Sequence, residues 1–248
     1  MKWIRKIYGI ITTIYGAIII TLDLGLFLIP VIILNFLKEK TYSPIFYNIT
    51  RYAYFFYTFF TFSRVKVFGK EYFKKGKNYI VIANHRSFFD IFMTTPLVPR
   101  INKTIGKIDI MKVPLFKYYY KLGTVLVDRK SKKSRADSFI KMKKVLENNY
   151  CMCVYPEGKR NRTQEPLLPF HDGAFRLSFE TKTPIIPSVT FNTEKVMPPD
   201  EILMFYPYRS YAYFLPEVDP SNFQSIQELK NHCFEVMYNF YKTHKPNK

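Results

Sequence analysis

Two apolar runs open the chain, Ile7 to Leu22 and Leu24 to Leu37, parted by Asp23. As helices they would be about 24 Å and about 21 Å long at about 1.5 Å per residue. Each is shorter than the roughly 30 Å hydrocarbon core of a bilayer. Joined, they overshoot it and bring Asp23 near the bilayer centre, at a cost of roughly 2.5–3.5 kcal/mol. A helical hairpin turning at Asp23-Leu24-Gly25 is therefore the favoured expectation, with a single tilted span as the alternative. Gly25 suits a helix end. Both flanks are basic (Lys2, Arg5 and Lys6 before; Lys38, Lys40 and Arg51 after), which puts both ends of a hairpin on the cytoplasmic side. A cleaved signal peptide fits poorly, because the apolar region is too long and no small-x-small cleavage site follows it. The stretch Tyr52 to Phe62 is strongly aromatic and almost uncharged. It reads equally as an interfacial belt or as a core helix under the domain that follows.

From Arg64 on, short apolar runs alternate with longer amphipathic ones. Arg64–Phe68 alternates with period two, and Tyr79–Ala83 is continuously apolar, as a buried strand is. Ser87 precedes a helix from Phe88 to about Leu97, with Asp90 three residues on in a capping-box-like arrangement. The further expected strands are Thr104–Ile108, Thr124–Val127, Cys151–Tyr155, Ile185–Val189 and Tyr211–Leu215. The further expected helices are Met111–Lys121, Ser134–Asn148, Ala174–Glu180 and Ser225–Tyr241; Pro114 makes the start of the first ambiguous. This alternation predicts an α/β fold with a mostly parallel central sheet flanked by helices. The expected division is residues 1–62 as an N-terminal two-helix membrane anchor and residues 63–248 as one folded domain.

Composition narrows the function. At 48% hydrophobic and 23% charged, the 248-residue chain is not disordered and can bury a sizeable core. The formal net charge of +19 asks for an anionic partner: nucleic acid, an anionic lipid surface or a phosphorylated substrate. The excess of Lys, Phe, Tyr and Ile also fits a biased genome, which weakens the charge argument. Three cysteines (Cys151, Cys153, Cys233) argue against a disulfide scaffold. One Cys-Met-Cys and four scattered histidines (His85, His171, His232, His244) lack zinc-site spacing. Cys151 and Cys153 read as small apolar residues on one face of a strand.

The candidate chemistry lies in short segments that each follow a strand. Asn84-His85-Arg86-Ser87-Phe88-Phe89-Asp90 puts a histidine on a strand-to-helix corner, at the carboxyl edge where open α/β sheets carry their sites. Asp90 on the first helical turn can reach the ring, fix its tautomer and support the charge that develops when the other nitrogen takes a proton. The spacing allows equally that Asp90 only caps its helix. Tyr155-Pro156-Glu157-Gly158-Lys159-Arg160-Asn161-Arg162 combines a glycine that lets backbone approach a ligand with a planar guanidinium suited to phosphate; by itself it reads as well as a solvated basic loop. Gly123 to Arg129 ends a strand with an arginine, and Gly106-Lys107 ends another with a lysine.

Together, Asn-His-x-x-x-x-Asp, Gly-x(5)-Arg and Pro-Glu-Gly-x-Arg, in this order, resemble the lysophosphatidic acid acyltransferase family, the PlsC-like glycerolipid acyltransferases. Thr183-Pro184-Ile185-Ile186-Pro187-Ser188-Val189 is similar to that family's Pro-containing strand, and Lys107 with Pro114 to its Lys…Pro segment. The likeness covers roughly Val65 to Val218, and the apolar N-terminus resembles the two-helix anchor of bacterial members. The resemblance implies transfer of a fatty acyl group from acyl-CoA or acyl-carrier protein to the free sn-2 hydroxyl of lysophosphatidic acid, giving phosphatidic acid for phospholipid biosynthesis. It implies His85 as general base, Asp90 as its orienter, and no acyl-enzyme. Lys107, Arg129 and Arg160 would hold the acceptor phosphate, and Glu157 and Gly158 would shape the pocket around its glycerol part. No metal or redox cofactor is implied, only the acyl thioester as co-substrate. The implied partners are the lysolipid, the thioester and the bilayer, at its cytoplasmic face, with no nucleic acid.

Two departures from the family pattern touch the headgroup. Lys159 stands where threonine is usual, and His171 in Phe170-His171-Asp172-Gly173 replaces a common lysine. Another lysophospholipid, or a lyso-aminolipid, is therefore the alternative acceptor. Two rivals come from other classes. A nucleic-acid-binding module is motivated by the basic stretch from Asn102 to Lys144, but the chain lacks a recognised reader motif. A non-catalytic membrane protein of the same fold would have no need of the His85/Asp90 pair.

Overall fold

The structure, a computed structural model, describes residues 2–201 and 204–244. Its elements are α1 (Lys2–Leu34), α2 (Glu39–Phe60), β1 (Val65–Phe68), β2 (Ile80–Ala83), α3 (Phe89–Leu97), β3 (Asn102–Lys107), α4 (Phe116–Gly123) and β4 (Thr124–Val127). There follow α5 (Lys132–Glu147), β5 (Cys151–Val154), α6 (Gly173–Thr181), β6 (Ile185–Phe191), α7 (Thr193–Val196), β7 (Ser210–Phe214) and α8 (Ile226–Thr243).

One sheet runs in the order β1-β7-β6-β2-β5-β3-β4. Every pairing is parallel except β6 with β7, so the expected mostly parallel sheet is present. The apolar runs of β2 and β6 are buried along their whole length, as strands covered on both faces must be. Period-two alternation splits the core. Ile80, Ile82 and Met152 face one way, into a layer with α5, α6 and α8 residues such as Val145, Leu177 and Leu229. Tyr79, Val81, Cys151 and Cys153 face the other, against Phe89, Met93 and Phe205. Two helices of the first layer are capped by serine side chains. Ser131 accepts from the Ser134 amide ahead of α5, and Ser225 from the Glu228 amide ahead of α8. The expected helix Met111–Lys121 is shorter than its pattern. A 3-10 turn occupies Ile108–Lys112 and α4 starts at Phe116, because Pro114 cannot donate within a helix and Leu115 takes a φ of 61°.

The N-terminus departs from the favoured expectation. No hairpin turns at Asp23-Leu24-Gly25: α1 is one unbroken helix of 33 residues, and the chain turns only at residues 35–38. There is one apolar helix rather than two. The reason lies on its buried side. Gly9, Thr12, Gly16, Ile19, Asp23, Val31 and Leu34 recur at helical spacing and are buried against the rest of the protein, so Asp23 is sheltered by protein and the helix need not break to release it. The opposite stripe, Ile4, Ile7, Ile11, Ile14, Ile18, Leu22, Leu26, Ile29 and Ile33, is exposed.

α1 touches the α/β body at both ends. Thr12 Oγ1 donates to the Phe205 carbonyl at 2.5 Å, and Thr13 Oγ1 accepts from the Phe205 amide at 2.9 Å. Further along, the Tyr119 hydroxyl of α4 donates to the Leu24 carbonyl, and Val31 and Leu34 pack with Phe46, Ile49 and Leu122. The aromatic stretch divides by the helical period. Tyr54 and Tyr57 of α2 pack into the core, while Tyr52, Phe55 and Phe59 point outward. The core reading therefore holds for one face, and the other face is exposed.

The close docking of α1 requires glycine at position 9, where a Cβ would lie 2.6 Å from the Tyr206 hydroxyl. Gly25, by contrast, has nothing within 4 Å of a built Cβ. Gly9→Leu is expected to cost about 1–3 kcal/mol through overpacking, read as a lowered thermal midpoint in detergent, while Gly25→Leu leaves the midpoint at or above wild type.

Candidate active site

The site forms where β2 runs out into α3. Asn84 extends the sheet with its side chain: its Nδ2 donates to the Thr190 carbonyl at 3.0 Å and its Oδ1 accepts from the Thr190 amide at 2.7 Å. The next three amides lie at a corner with no ladder partner, and carboxylates take all three. The His85 amide donates to Glu157 Oε1 at 2.7 Å. The Arg86 and Ser87 amides both donate to Asp90 Oδ2 at 2.8 Å.

The same Asp90 oxygen lies 2.9 Å from His85 Nδ1. A carboxylate only accepts, so Nδ1 carries the proton and Nε2 is left as the basic nitrogen. Asp90 is buried, and its other oxygen has no hydrogen-bond partner among the described residues. Its charge is thus directed at the ring and the corner. The sequence-predicted pair is assembled, and Asp90 holds the corner amides as well as the ring.

Sheet order brings the other predicted segments to the same edge. The strands β2-β5-β3-β4 are consecutive, so their carboxyl ends present His85, the loop after β5, Lys107 and Arg129 side by side. Lys107 is the last residue of β3, paired in register with Val127 of β4. An Nη1 of Arg129 donates to the Gly158 carbonyl. Gly158 has a φ of +69°, and a Cβ there would lie 2.7 Å from the His171 ring, so both conformation and space require glycine. Arg160 lies over the Phe88 ring at 5.6 Å.

Glu157 is buried with both oxygens occupied, Oε1 by the His85 amide and Oε2 by the Leu168 amide at 2.8 Å. Desolvation pushes its carboxyl up to about 7, against the lowering effect of those two amides. Among the described residues no group of three or more His, Cys, Asp or Glu side chains could hold a metal ion.

Sequence reasoning singled out neither Tyr155 nor Arg86 for a role. The Tyr155 ring stacks on the His85 ring, with centroids 4.3 Å apart and planes at 24°. Its hydroxyl donates to the Asp90 carbonyl at 2.7 Å and meets Thr94 Oγ1, so one side chain braces both members of the pair. Desolvation first, then the nearby Asp90 charge, pushes its phenol well above the ordinary range, which keeps the hydroxyl protonated and able to donate. The aromatic position directly before Pro156 was the available signal. Arg86 donates to the carbonyls of Glu165 and Thr163 at 2.9 and 3.2 Å, closing the loop after Arg160 over the corner. Nothing local in the sequence announces that.

Tyr155→Phe keeps the stack and removes the hydroxyl. Thr94 Oγ1 still donates to the Asp90 carbonyl at 2.8 Å, so we expect a stability loss of only about 0.5–1.5 kcal/mol from the lost hydrogen bond, measured by denaturant titration in detergent. Because burial raises the Glu157 carboxyl, the stability it contributes is complete below its ordinary pKa of 4.5 and is lost as pH rises through about 7. The thermal midpoint of wild type should therefore fall more between pH 5 and pH 8 than that of Glu157→Gln.

The Acyltransferase family matches residues 64–190, just over half of the chain. A Saccharomyces cerevisiae protein named 1-acyl-sn-glycerol-3-phosphate acyltransferase is 38% identical over 138 residues, covering 54% of this chain and 45% of that protein. One of the same name from Cocos nucifera is 30% identical over 169 residues, covering 67% and 54%. The chain thus spans about half the length of these relatives. The crystal structure of the 1-acyl-sn-glycerophosphate (LPA) acyltransferase PlsC from Thermotoga maritima superposes with a TM-score of 0.79 at 24% identity, covering 98% of this chain and 99% of that one; it shows the same fold. With its His85/Asp90 corner inside the matched segment, the chain belongs to the acyltransferase family.

Proposed function

We propose that the protein moves a fatty acyl group from an acyl thioester, acyl-CoA or acyl-carrier protein, to the free sn-2 hydroxyl of lysophosphatidic acid, giving phosphatidic acid. The observation that carries this reading is the His85 Nδ1–Asp90 Oδ2 contact of 2.9 Å, in a chain whose curated relatives are named for that acceptor. His85 Nε2 takes the proton of the acceptor hydroxyl as its oxygen attacks the thioester carbonyl. The tetrahedral intermediate collapses, the C–S bond breaks, and the proton passes from His85 to the departing thiolate. Asp90 stabilises the imidazolium between these steps. A base of this kind is worth about 10²- to 10⁴-fold in rate.

Lys107, Arg129 and Arg160 supply positive charge for the acceptor phosphate at the edge beside His85. Gly158 gives that phosphate backbone access, and Glu157 acts on the pocket by holding the His85 amide. His171, packed on Gly158, favours keeping a second acceptor in view, a lysophospholipid with a different headgroup. The acyl thioester is the co-substrate, and the reaction as written needs no metal.

The protein works at a membrane. α1 is long and apolar enough to cross one, yet it is joined to the α/β body at both ends. That double attachment supports a helix lying along the bilayer surface, its aliphatic stripe in the lipid and the body above it on the cytoplasmic face. The cationic surface then meets anionic lipid and acidic acyl carriers.

The test is acyl transfer from a labelled thioester to lysophosphatidic acid, glycerol-3-phosphate, lysophosphatidylethanolamine and a lyso-aminolipid. Wild type should prefer lysophosphatidic acid, and His85→Ala should lose at least about 10²-fold in turnover with an unchanged thermal midpoint. Full activity in His85→Ala would remove the base assignment. Preference for another acceptor would move the question to Lys159 and His171.

A further inference from the structure

A second cationic site lies on the other side of His85. Because β7 runs antiparallel to β6 and parallel to β1, the starts of β1 and β7 share an edge with the carboxyl ends of β2 and β6. Val65 pairs with Ser210 in register, and the Ser210 amide donates to the Arg64 carbonyl at 3.0 Å. Arg64 and Arg209, one residue before each, are therefore neighbours on strands about 4.8 Å apart. Like charges so placed repel. Neither guanidinium has a hydrogen-bond, ion-pair or ring partner among the described residues. Both are exposed and line an open surface cleft of about 470 Å³ together with Phe62, Asn192 and Tyr208.

Two of these lining residues hold backbone conformations that L-residues seldom adopt, Phe62 at φ 56° and Asn192 at φ 65°. For a phenylalanine that is exposed this is costly, and such strain gathers at functional sites. Asn192 Nδ2 also fixes the Arg209 carbonyl at 3.3 Å. Paired arginines without counter-charge, in a cleft with held walls, describe a receptor for phosphate oxygens, which the guanidinium fork binds in two-pronged fashion.

Its setting says which phosphate. Phe62 continues the outward aromatic face of α2. Tyr208 and Arg209 follow Phe205 and Tyr206 with only Pro207 between, and Phe205 and Tyr206 are seated on the inner side of α1. A helix with side chains is about 10–12 Å across. With the outer stripe of α1 in the acyl region, its inner side and the segment seated on it lie at headgroup depth. We propose that Arg64 and Arg209 bind the phosphate of an anionic phospholipid of the bilayer, at a site separate from the acceptor pocket of Lys107, Arg129 and Arg160. The bound lipid would set the sheet edge carrying His85 against the membrane. This inference rests on the membrane pose proposed above and not on the acyl-transfer chemistry.

The experiment uses the full chain and the charge-conserving variant R64K/R209K, with vesicles of phosphatidylcholine alone or with added phosphatidic acid. Wild type and variant should bind neutral vesicles equally, and the variant should lose about five- to tenfold on the anionic ones, since lysine keeps the charge but not the fork. Inorganic phosphate should displace wild type from anionic vesicles further than chloride of equal ionic strength, and that difference should vanish in the variant. Turnover on detergent-dispersed substrate should stay at wild type in R64K/R209K, which checks its fold, and R64Q/R209Q should fall further on anionic vesicles. Equal binding of wild type and R64K/R209K to anionic vesicles overturns the site. Loss of the phosphate effect with unchanged vesicle binding assigns the cleft to a soluble phosphate and overturns the lipid. A raised KM for the coenzyme A thioester with unchanged vesicle binding assigns it to the donor and overturns the lipid as well. Wild type bound to neither vesicle refutes the membrane pose itself, which separates that failure from the others.

Discussion

Three consecutive backbone amides at a buried corner have no strand to bond to, and the protein satisfies them with two buried carboxylates. A buried N–H left unmet costs about as much as a lost hydrogen bond, so residues 85–87 must find acceptors. Asp90 Oδ2 takes two amides and the His85 ring nitrogen, and Glu157 takes the third. The geometry of His85 is thus inseparable from the folding of the turn that carries it. Removing either acid disturbs the backbone under the histidine as well as the charge beside it. The Tyr155 stack and the Arg86 clasp over residues 163–165 then fix what the carboxylates have shaped.

The parallel sheet is the second requirement. Placing β2, β5, β3 and β4 in succession gathers four segments far apart in sequence at one set of carboxyl ends. The single antiparallel pairing, β6 with β7, reverses both β7 and β1 and changes what that edge displays. It brings two strand beginnings to a border otherwise made of strand ends, and with them the arginines before Val65 and Ser210. One border of the sheet therefore carries a base flanked by positive charge on both sides.

Much of this was legible from the chain. Strand period and the five-residue step from His85 to Asp90 are local signals. They survive folding because neighbours in sequence satisfy them. What could not be read depends on distant partners. The Asp23 interruption suggested a turn because a carboxylate is costly in lipid; packing against the body shelters it, as the contact of neighbouring Leu24 with Tyr119, 95 residues on, illustrates. Glu157's hold on amides 72 residues before and 11 after could not be read because nothing nearby in sequence announces either partner. Tyr52–Phe62 could not be assigned to one environment because helical twist gives it two.

The seating of α1 has a consequence for synthesis. Thr12 and Thr13 leave the ribosome early, but the Phe205 backbone that they bind follows 193 and 192 residues later. At about 5–20 residues per second the interval is on the order of ten to forty seconds. Throughout it, the nascent helix holds Gly9, Thr12 and Thr13 without their final neighbours. Its aliphatic side can enter lipid at once, while the N-terminal half of the other side must wait for the C-terminal third of the chain. A helix with two unlike sides suits such an interval, because greasy residues all round would give it no reason to turn back towards the domain.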